Sequence, residues 1–241
     1  MEKKIYLSIV IPAYKEEQRI HIILEAIEKY VKTKDFETET IVVVDASPDD
    51  TAGAARKFEG RIPNLTVSEG KVNKGKGGAI RDGIQLAQGQ NVIFADADNS
   101  TPIEQVDKLL RFIDKYEVVI GSRYCRGGKL AIPQSLSRRI GSRVLNWIIQ
   151  ALAIPGIRDT QCGFKLFQTE PAKRIFQHQT IFSFSFDIEI LAIAKKLGYR
   201  IKEEGITWYD NPHSTVSPFK DGVKMIGDAW KIHQNIQSKI Y

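Results

Sequence analysis

Two hydrophobic rhythms alternate along the first half of the chain. Apolar runs at Ile5–Ile11, Thr40–Val44, Leu65–Ser68, Asn91–Ala95 and Val118–Ile120 are too short for buried helices and read as strands covered on both faces. Between them the spacing shifts to the helical period. In Glu17–Val31 the residues Ile20, Ile23, Leu24, Ile27, Tyr30 and Val31 fall on one face. Thr51–Phe58 predicts a short helix and Gly77–Ala87 another. A further helix spans Pro102, which suits a first turn, to Tyr116. Continuous apolar strands alternating with amphipathic helices predict an α/β fold: a doubly wound, mostly parallel central sheet with flanking helices in a single domain.

After residue 122 the rhythm changes. Arg126-Gly127-Gly128-Lys129 reads as a mobile loop. A long helix is predicted for Ser137–Ala153, a strand for Gly163–Gln168, a helix for Phe186–Leu197, a strand for Arg200–Trp208 and an amphipathic final helix for Lys220–Ile236. No linker composition or internal repeat divides the 241 residues. The expected organisation is one domain, 1–241, with a first half to about residue 122, a second over about 123–215 and a C-terminal helix in 216–241.

Composition narrows the class without naming a function. The chain is 42 % hydrophobic and 27 % charged, which excludes collagen, low-complexity disorder and a disulfide scaffold. A net charge of +6 points to an anionic partner of unspecified kind. The two cysteines, Cys125 and Cys162, have neither disulfide-framework nor zinc spacing, so a reducing cytoplasm is the economical compartment. Lys3 and Lys4 precede an apolar run too short for a secretion signal. The longest other apolar stretch, 144–157, is interrupted by Asn146 and Gln150 and falls short of the ~20 residues of a spanning helix.

In open α/β sheets ligands collect beyond the carboxyl ends of the strands. Five polar clusters stand there in phase with five strands: Pro12-Ala13-Tyr14-Lys15-Glu16, Asp45-Ala46-Ser47-Pro48-Asp49, Asn73-Lys74-Gly75-Lys76-Gly77-Gly78, Asp96-Ala97-Asp98 and Gly121-Ser122-Arg123. Two carboxylates at i and i+2 just past a strand suit one hard cation, Mg2+ or Mn2+, bridged to a diphosphate. Asp45 suits the imide of uracil or the edge of guanine, and Asp96 suits ribose hydroxyls. Lys76, Arg81 and the backbone amides of Gly77 and Gly78 suit base or phosphates. A P-loop ATPase is the rival reading, because Gly70 to Gly77 nearly matches that motif. Gly77, however, stands where a hydroxyl should meet magnesium. Nucleic-acid binding fits less well, since the basic residues are dispersed and no recognition module appears.

These clusters, with Val10-Ile11 before the first and Tyr124 after the last, resemble the family 2 glycosyltransferases of the GT-A fold. Asp159-Thr160-Gln161-Cys162-Gly163-Phe164-Lys165-Leu166-Phe167 is similar to the subgroup acting on dolichyl or polyprenyl phosphate, above all the dolichyl-phosphate β-glucosyltransferases. The resemblance implies an inverting, metal-dependent transfer of a hexose, glucose from UDP-glucose being the first choice. GDP-mannose as donor, or a soluble or glycan acceptor, are the alternatives. Residues 1–122 would hold the nucleotide sugar and 123–215 would shape the acceptor site. Pro12, Tyr14, Glu16, Asp45, Lys76, Gly77, Arg81, Asp96 and Ala97 would bind the donor, while Asp96, Asp98 and Ser100 would hold the metal. Asp98, Arg123, Asp159 and Lys165 form the expected catalytic set. In it Arg123 and Lys165 hold the acceptor phosphate, and Asp159 acts as base or orients one of those cations. The chain departs from the family pattern at Val44, Ser100 and Ser214-Thr215, the last leaving Lys220 or His213 to assist the phosphates.

A membrane-lipid acceptor with no predicted spanning segment implies a cytoplasmic protein peripheral to the cytoplasmic membrane face. Helix 137–153, with Arg138, Arg139 and Arg143 at its start, is the expected interfacial element. The final helix, with Val223, Ile226, Ala229 and Trp230, is expected to dock on its own domain or form a homodimer contact. Cys162 reads as a packing residue rather than a nucleophile.

Overall fold

A computed structural model describes residues 4–130, 149–150, 152–209, 218–238 and 240–241. The strands are β1 (Leu7–Ala13), β2 (Thr38–Val44), β3 (Leu65–Glu69), β4 (Asn91–Ala95), β5 (Val118–Ser122), β6 (Lys129–Leu130), β7 (Phe164–Gln168), β8 (Ile201–Gly205) and β9 (Thr207–Trp208). The helices are α1 (Ile20–Val31), α2 (Thr51–Arg56), α3 (Lys76–Leu86), α4 (Val106–Leu110), α5 (Thr169–Gln177), α6 (Phe186–Lys196) and α7 (Pro218–Gln237). A seven-stranded sheet has the order β3-β2-β1-β4-β7-β5-β8, and β6 pairs with β9 beside it. All pairings in the large sheet are parallel except those of β7, which runs antiparallel to β4 and β5. The predicted doubly wound α/β sheet is therefore present, with one reversed strand inside it.

The two cores explain why the central strands are apolar throughout. Ile9 and Ile11 point to a cluster with Ile20, Ile23, Leu24, Ile27, Val106 and Leu109. Val10 points to the opposite cluster with Ile80, Ile84, Phe94, Phe167, Phe186 and Ile190. Alternate residues of one strand thus enter different cores, so neither face can be polar. The apolar face read for α1 is the buried one, residue for residue. Phe94, Phe167, Phe176 and Phe186 form a ring-to-ring chain with centroids 5.9–6.1 Å apart. Truncating one of these to alanine costs about 3–5 kcal/mol, from lost burial plus the cavity left behind.

Several boundaries differ from expectation for local reasons. The helix from Pro102 begins as a 3-10 turn at Ile103–Gln105, and its α-helical part ends at Leu110. The strand predicted for Arg200–Trp208 divides at Ile206, whose buried side chain enters the core. β8 continues the large sheet, while β9 leaves it to pair with β6. The 126–129 segment forms a hydrogen-bonded turn that leads into β6. Gly128 N–H donates to Cys125 C=O at 2.9 Å, and Lys129 N–H donates to Ile206 C=O at 2.9 Å. A Cβ on Gly205 would lie 2.4 Å from the Gly127 carbonyl carbon, so the turn needs that glycine opposite it. Helix α5 was not foreseen. The predicted helix 137–153 lies outside the described residues except for 149–150 and 152–153, as do Ser214, Thr215 and His213.

Candidate active site

Every parallel strand of the large sheet delivers its carboxyl end to one rim. Because β7 is reversed, its amino end reaches the same rim, and its register sets Phe164 against Ala95 and Lys165 against Phe94. The segment Asp159–Gly163 is thereby carried to the side of Asp96 and Asp98.

The Asp96–Ser100 turn is held by its own backbone. Asn99 has φ +53°, a left-handed conformation that asparagine tolerates. Its N–H donates to Asp96 C=O at 3.3 Å. Ser100 N–H donates to Asp98 Oδ1 at 2.9 Å. Gly163 faces the turn so closely that a Cβ there would sit 2.2 Å from Asp96 Oδ2. Lys76 Nζ pairs with Asp96 Oδ1 at 2.5 Å. Burial works against that ammonium, but the carboxylates of Asp96 and Asp187 outweigh it and raise its pKa.

Among the described residues no group of three or more His, Cys, Asp or Glu side chains could hold a metal unaided. Magnesium-type sites completed by a substrate diphosphate use one or two carboxylates. The turn offers Asp96 and Asp98, the Ser100 hydroxyl and an orphaned buried oxygen, Asn99 Oδ1, which has no hydrogen-bond partner among the described residues. This all-oxygen donor set fits Mg2+ or Mn2+ and would not suit a softer ion.

The glycine-rich loop is pinned from two sides. Asp45, buried at the end of β2, accepts the Lys74 N–H at 2.8 Å and the Gly75 N–H at 2.7 Å. Gly75 enters α3 with φ +81°, a backbone region open to glycine. Gly77 N–H donates to Phe182 C=O at 2.9 Å. The expected approach of the Gly77 amide to phosphate is corrected accordingly, since that donor is already spent. A P-loop cradle fails for the same reason. Lys76, paired with Asp96, and Arg81, whose guanidinium carbon lies 5.8 Å from the Phe182 ring centroid, are the cations of α3 expected to meet the donor.

Across the rim, Arg123 follows β5. Its Nε and Nη2 donate to the two oxygens of Asp159 at 2.8 Å each, and its N–H adds a third bond of 2.8 Å. The rings of Tyr124 and Trp208 each lie 5.3 Å from the guanidinium carbon. Burial opposes the charge on Asp159, yet Arg123 holds its pKa below the usual range. Asp159 thus spends both oxygens on Arg123. β9 ties the two sides together, since Tyr209, directly after Trp208, donates its N–H to Ser100 C=O at 2.8 Å.

Lys165 corrects an expectation. It is 0 % exposed, its Nζ donates to Cys162 C=O at 2.6 Å, and it pairs with Asp187 over the Phe94 ring. Such an ammonium does not reach an acceptor; it supports the floor of the site. Asp187 and Glu189, the buried carboxylates of α6, were not singled out. The usable signal was two acids inside an otherwise apolar helix. Of the remaining expected donor residues, Tyr14 is 44 % exposed at the rim, Pro12 is partly buried and Ala97 is buried. Glu16 is buried and pairs with Arg19. Burial outweighs that pairing and raises the Glu16 pKa, helped by nearby Asp98 and Asp49. Burial pushes the Cys162 thiol up to about 12, which fits a packing role.

A sheet of this topology, with carboxylates and a pinned glycine-rich loop on one rim, defines a nucleotide-sugar-dependent glycosyltransferase of the GT-A type. The family model for glycosyl transferase family 2 matches residues 8–176, and the chain belongs to that family. It is 34 % identical over 241 residues to a dolichyl-phosphate beta-glucosyltransferase of Dictyostelium discoideum, covering 95 % of this chain and 74 % of the relative. The Homo sapiens protein of that name is 31 % identical over 256 residues, covering 95 % and 78 %. Glucosyl-3-phosphoglycerate synthase of Mycobacterium tuberculosis, solved with Mn2+, UDP and glucosyl-3-phosphoglycerate, shares the fold. Its TM-score is 0.62 at 19 % identity, covering 95 % of this chain and 78 % of that one. No helix among the described residues is long and apolar enough to cross a membrane.

Proposed function

We propose that this enzyme transfers glucose from UDP-glucose to dolichyl or polyprenyl phosphate, with inversion at the anomeric carbon and with Mg2+ or Mn2+ bound. The observation that carries the proposal is that one rim bears both the Asp96–Asp98 turn, with Lys76 against Asp96, and an Arg123 held side-on by Asp159. The dolichyl-phosphate beta-glucosyltransferase relatives support the acceptor and the sugar, and the UDP- and Mn2+-bound fold neighbour supports the donor.

Asp96, Asp98 and Ser100 would hold the divalent ion, which when bound neutralises charge on the leaving diphosphate. Lys76 and Arg81 flank the same diphosphate. Arg123 binds the acceptor phosphate, and Asp159 keeps the guanidinium edge-on to it. A lipid monophosphate has its second pKa near ~6, so it is largely dianionic at neutral pH. Its oxygen attacks the anomeric carbon as the bond to the diphosphate oxygen breaks, and UDP leaves with that electron pair. No proton has to be removed from this nucleophile, so positioning outranks a general base. That matches an Asp159 whose oxygens are committed to Arg123. A lipid acceptor puts the enzyme at a membrane surface. The expected interfacial helix lies largely outside the described residues.

The test is transfer of radiolabelled glucose from UDP-glucose to a polyprenyl phosphate in detergent, with Mg2+ or Mn2+. Lipid-linked label is the expected result. Transfer from GDP-mannose alone, or only to a soluble phosphate, would assign one of the alternatives.

A further inference from the structure

Residues 179–182, between α5 and α6, carry no motif, yet they wall the glycine-rich loop. Phe182 C=O accepts the Gly77 N–H at 2.9 Å, and the Phe182 ring lies beneath Arg81. A Cβ on Gly75 would come within 2.9 Å of the Phe182 oxygen, and one on Gly77 within 2.7 Å of Gln179 Nε2. Loop and wall therefore touch without slack. Phe182 is itself 37 % exposed, so core packing does not fix it.

What fixes the wall is Glu189. This side chain is 0 % exposed on α6. It accepts the Thr180 N–H at 3.0 Å, the Thr180 hydroxyl at 2.6 Å and the Ile181 N–H at 2.7 Å. A fourth donor is the Tyr241 hydroxyl at 2.7 Å, which in turn accepts from Asn235 Nδ2 at 2.9 Å. A buried carboxylate with four donors makes strong, directional bonds, and removing it would strand those donors. The contacts run unbroken from Glu189 through residues 180–182 to Gly77 and Arg81.

We propose that Glu189 is a positioning residue for donor binding. It fixes residues 180–182 so that Phe182 sets the glycine-rich loop and Arg81 in the geometry that receives the nucleotide diphosphate. The inference rests on the reading of residues 73–81 as the donor loop. Glu189 touches no substrate; it acts through Phe182, and Tyr241 of the C-terminal segment braces it.

The test uses the full chain with Glu189→Gln and Phe182→Ala, the second at an exposed position where the fold is not at stake. Nucleotide affinity is read by calorimetry with UDP and with GDP, alongside steady-state kinetics. Each variant should weaken nucleotide binding and raise donor KM ~10-fold, with kcat within ~2-fold, the pattern of lost uniform binding. The double variant should be little worse than either single one, because both act on one contact path. Phe182→Ala should leave the melting temperature unchanged. If Glu189→Gln melts earlier while nucleotide affinity and donor KM stay at wild-type values, Glu189 is only structural and the inference is overturned. Unchanged affinity in Phe182→Ala, which keeps the backbone bond to Gly77 and removes only the ring beneath Arg81, overturns the part assigned to that ring. If the wild-type chain binds neither UDP nor GDP, the donor-loop reading itself is wrong and the inference falls with it.

Discussion

Arg123 and Asp159 meet side-on, with two parallel bonds of 2.8 Å between guanidinium and carboxylate and a third from the Arg123 backbone. A bidentate pair fixes both the position and the plane of the arginine. Glu203 secures the other side of the arrangement by accepting the N–H groups of Arg158 and Asp159 at 3.0 Å each. Asp159→Asn turns an amide NH2 toward the guanidinium and frees its orientation. Transfer should fall ~100-fold, as a misplaced reacting group implies, while UDP affinity stays within ~2-fold. Radiolabel transfer and calorimetry, run together, check it; an equal loss of UDP affinity would place Arg123 on the donor side.

Gly163 tests the carboxylate turn without touching a charged residue. Its missing Cβ leaves room for Asp96, and an added methyl would meet that carboxylate at 2.2 Å. Asp96 is a partly exposed side-chain end, so it can swing aside, loosening its pairing with Lys76. Gly163→Ala should therefore keep its melting temperature within ~2 °C while turnover falls at least ~10-fold, through lost placement of the charge-stabilising group. A large thermal loss with normal specific activity would count against this reading of the turn.

Lys165 and Asp187 should behave as a buried ion pair. Lys165→Met strands the Asp187 carboxylate and should cost about 3–5 kcal/mol in denaturant unfolding. Lys165→Met with Asp187→Leu should recover most of that, because no buried charge is left alone. If the single variant kept full stability and lost only acceptor affinity, Lys165 would be the acceptor ligand after all.

Glu117 and Arg200 staple the starts of β5 and β8, with Arg200 Nη2 2.6 Å from Glu117 Oε1. The Arg200 hydrogen bond holds the Glu117 pKa down at about 2, against an ordinary 4.5. A depressed carboxylate contributes stability that is fully present above pH 4.5 and lost as pH falls toward 2. Arg200 is largely exposed, so solvent screening keeps the contribution of the pair small. Glu117→Gln should lower the melting temperature by ~2–4 °C at pH 7, and the gap to wild type should close as pH drops below 4.5. A gap independent of pH would assign the effect to packing.

Much of the site could be read before the fold was known. β1 to β5 and the helices between them follow from local periodicity, and their polar ends fall on one rim because parallel strands share a direction. Asp45, Lys76, Asp96, Asp98 and Arg123 were legible on that ground. Asp187, Glu189 and Phe182 were not. Their roles come from contacts made across the chain: two acids in an apolar helix mark Asp187 and Glu189 as unusual, but the local sequence does not say what they meet.

The sequence by itself determined the alternation of elements, the apolar identity of both sheet faces and the family's carboxylate and glycine-rich motifs. These depend on residue type and spacing over a turn or a strand, where side-chain direction follows from backbone geometry. Tertiary structure decided the rest. Nothing in the composition of the run Phe164–Gln168 states which way it runs in the sheet, and its hydrogen-bonded register between β4 and β5 sets it antiparallel. That reversal carries Asp159 to Arg123 and Gly163 to Asp96, and buries Lys165 against Asp187. Which charges meet, and which remain free to meet a substrate, is set by strand pairing over long separations, and no local spacing encodes it.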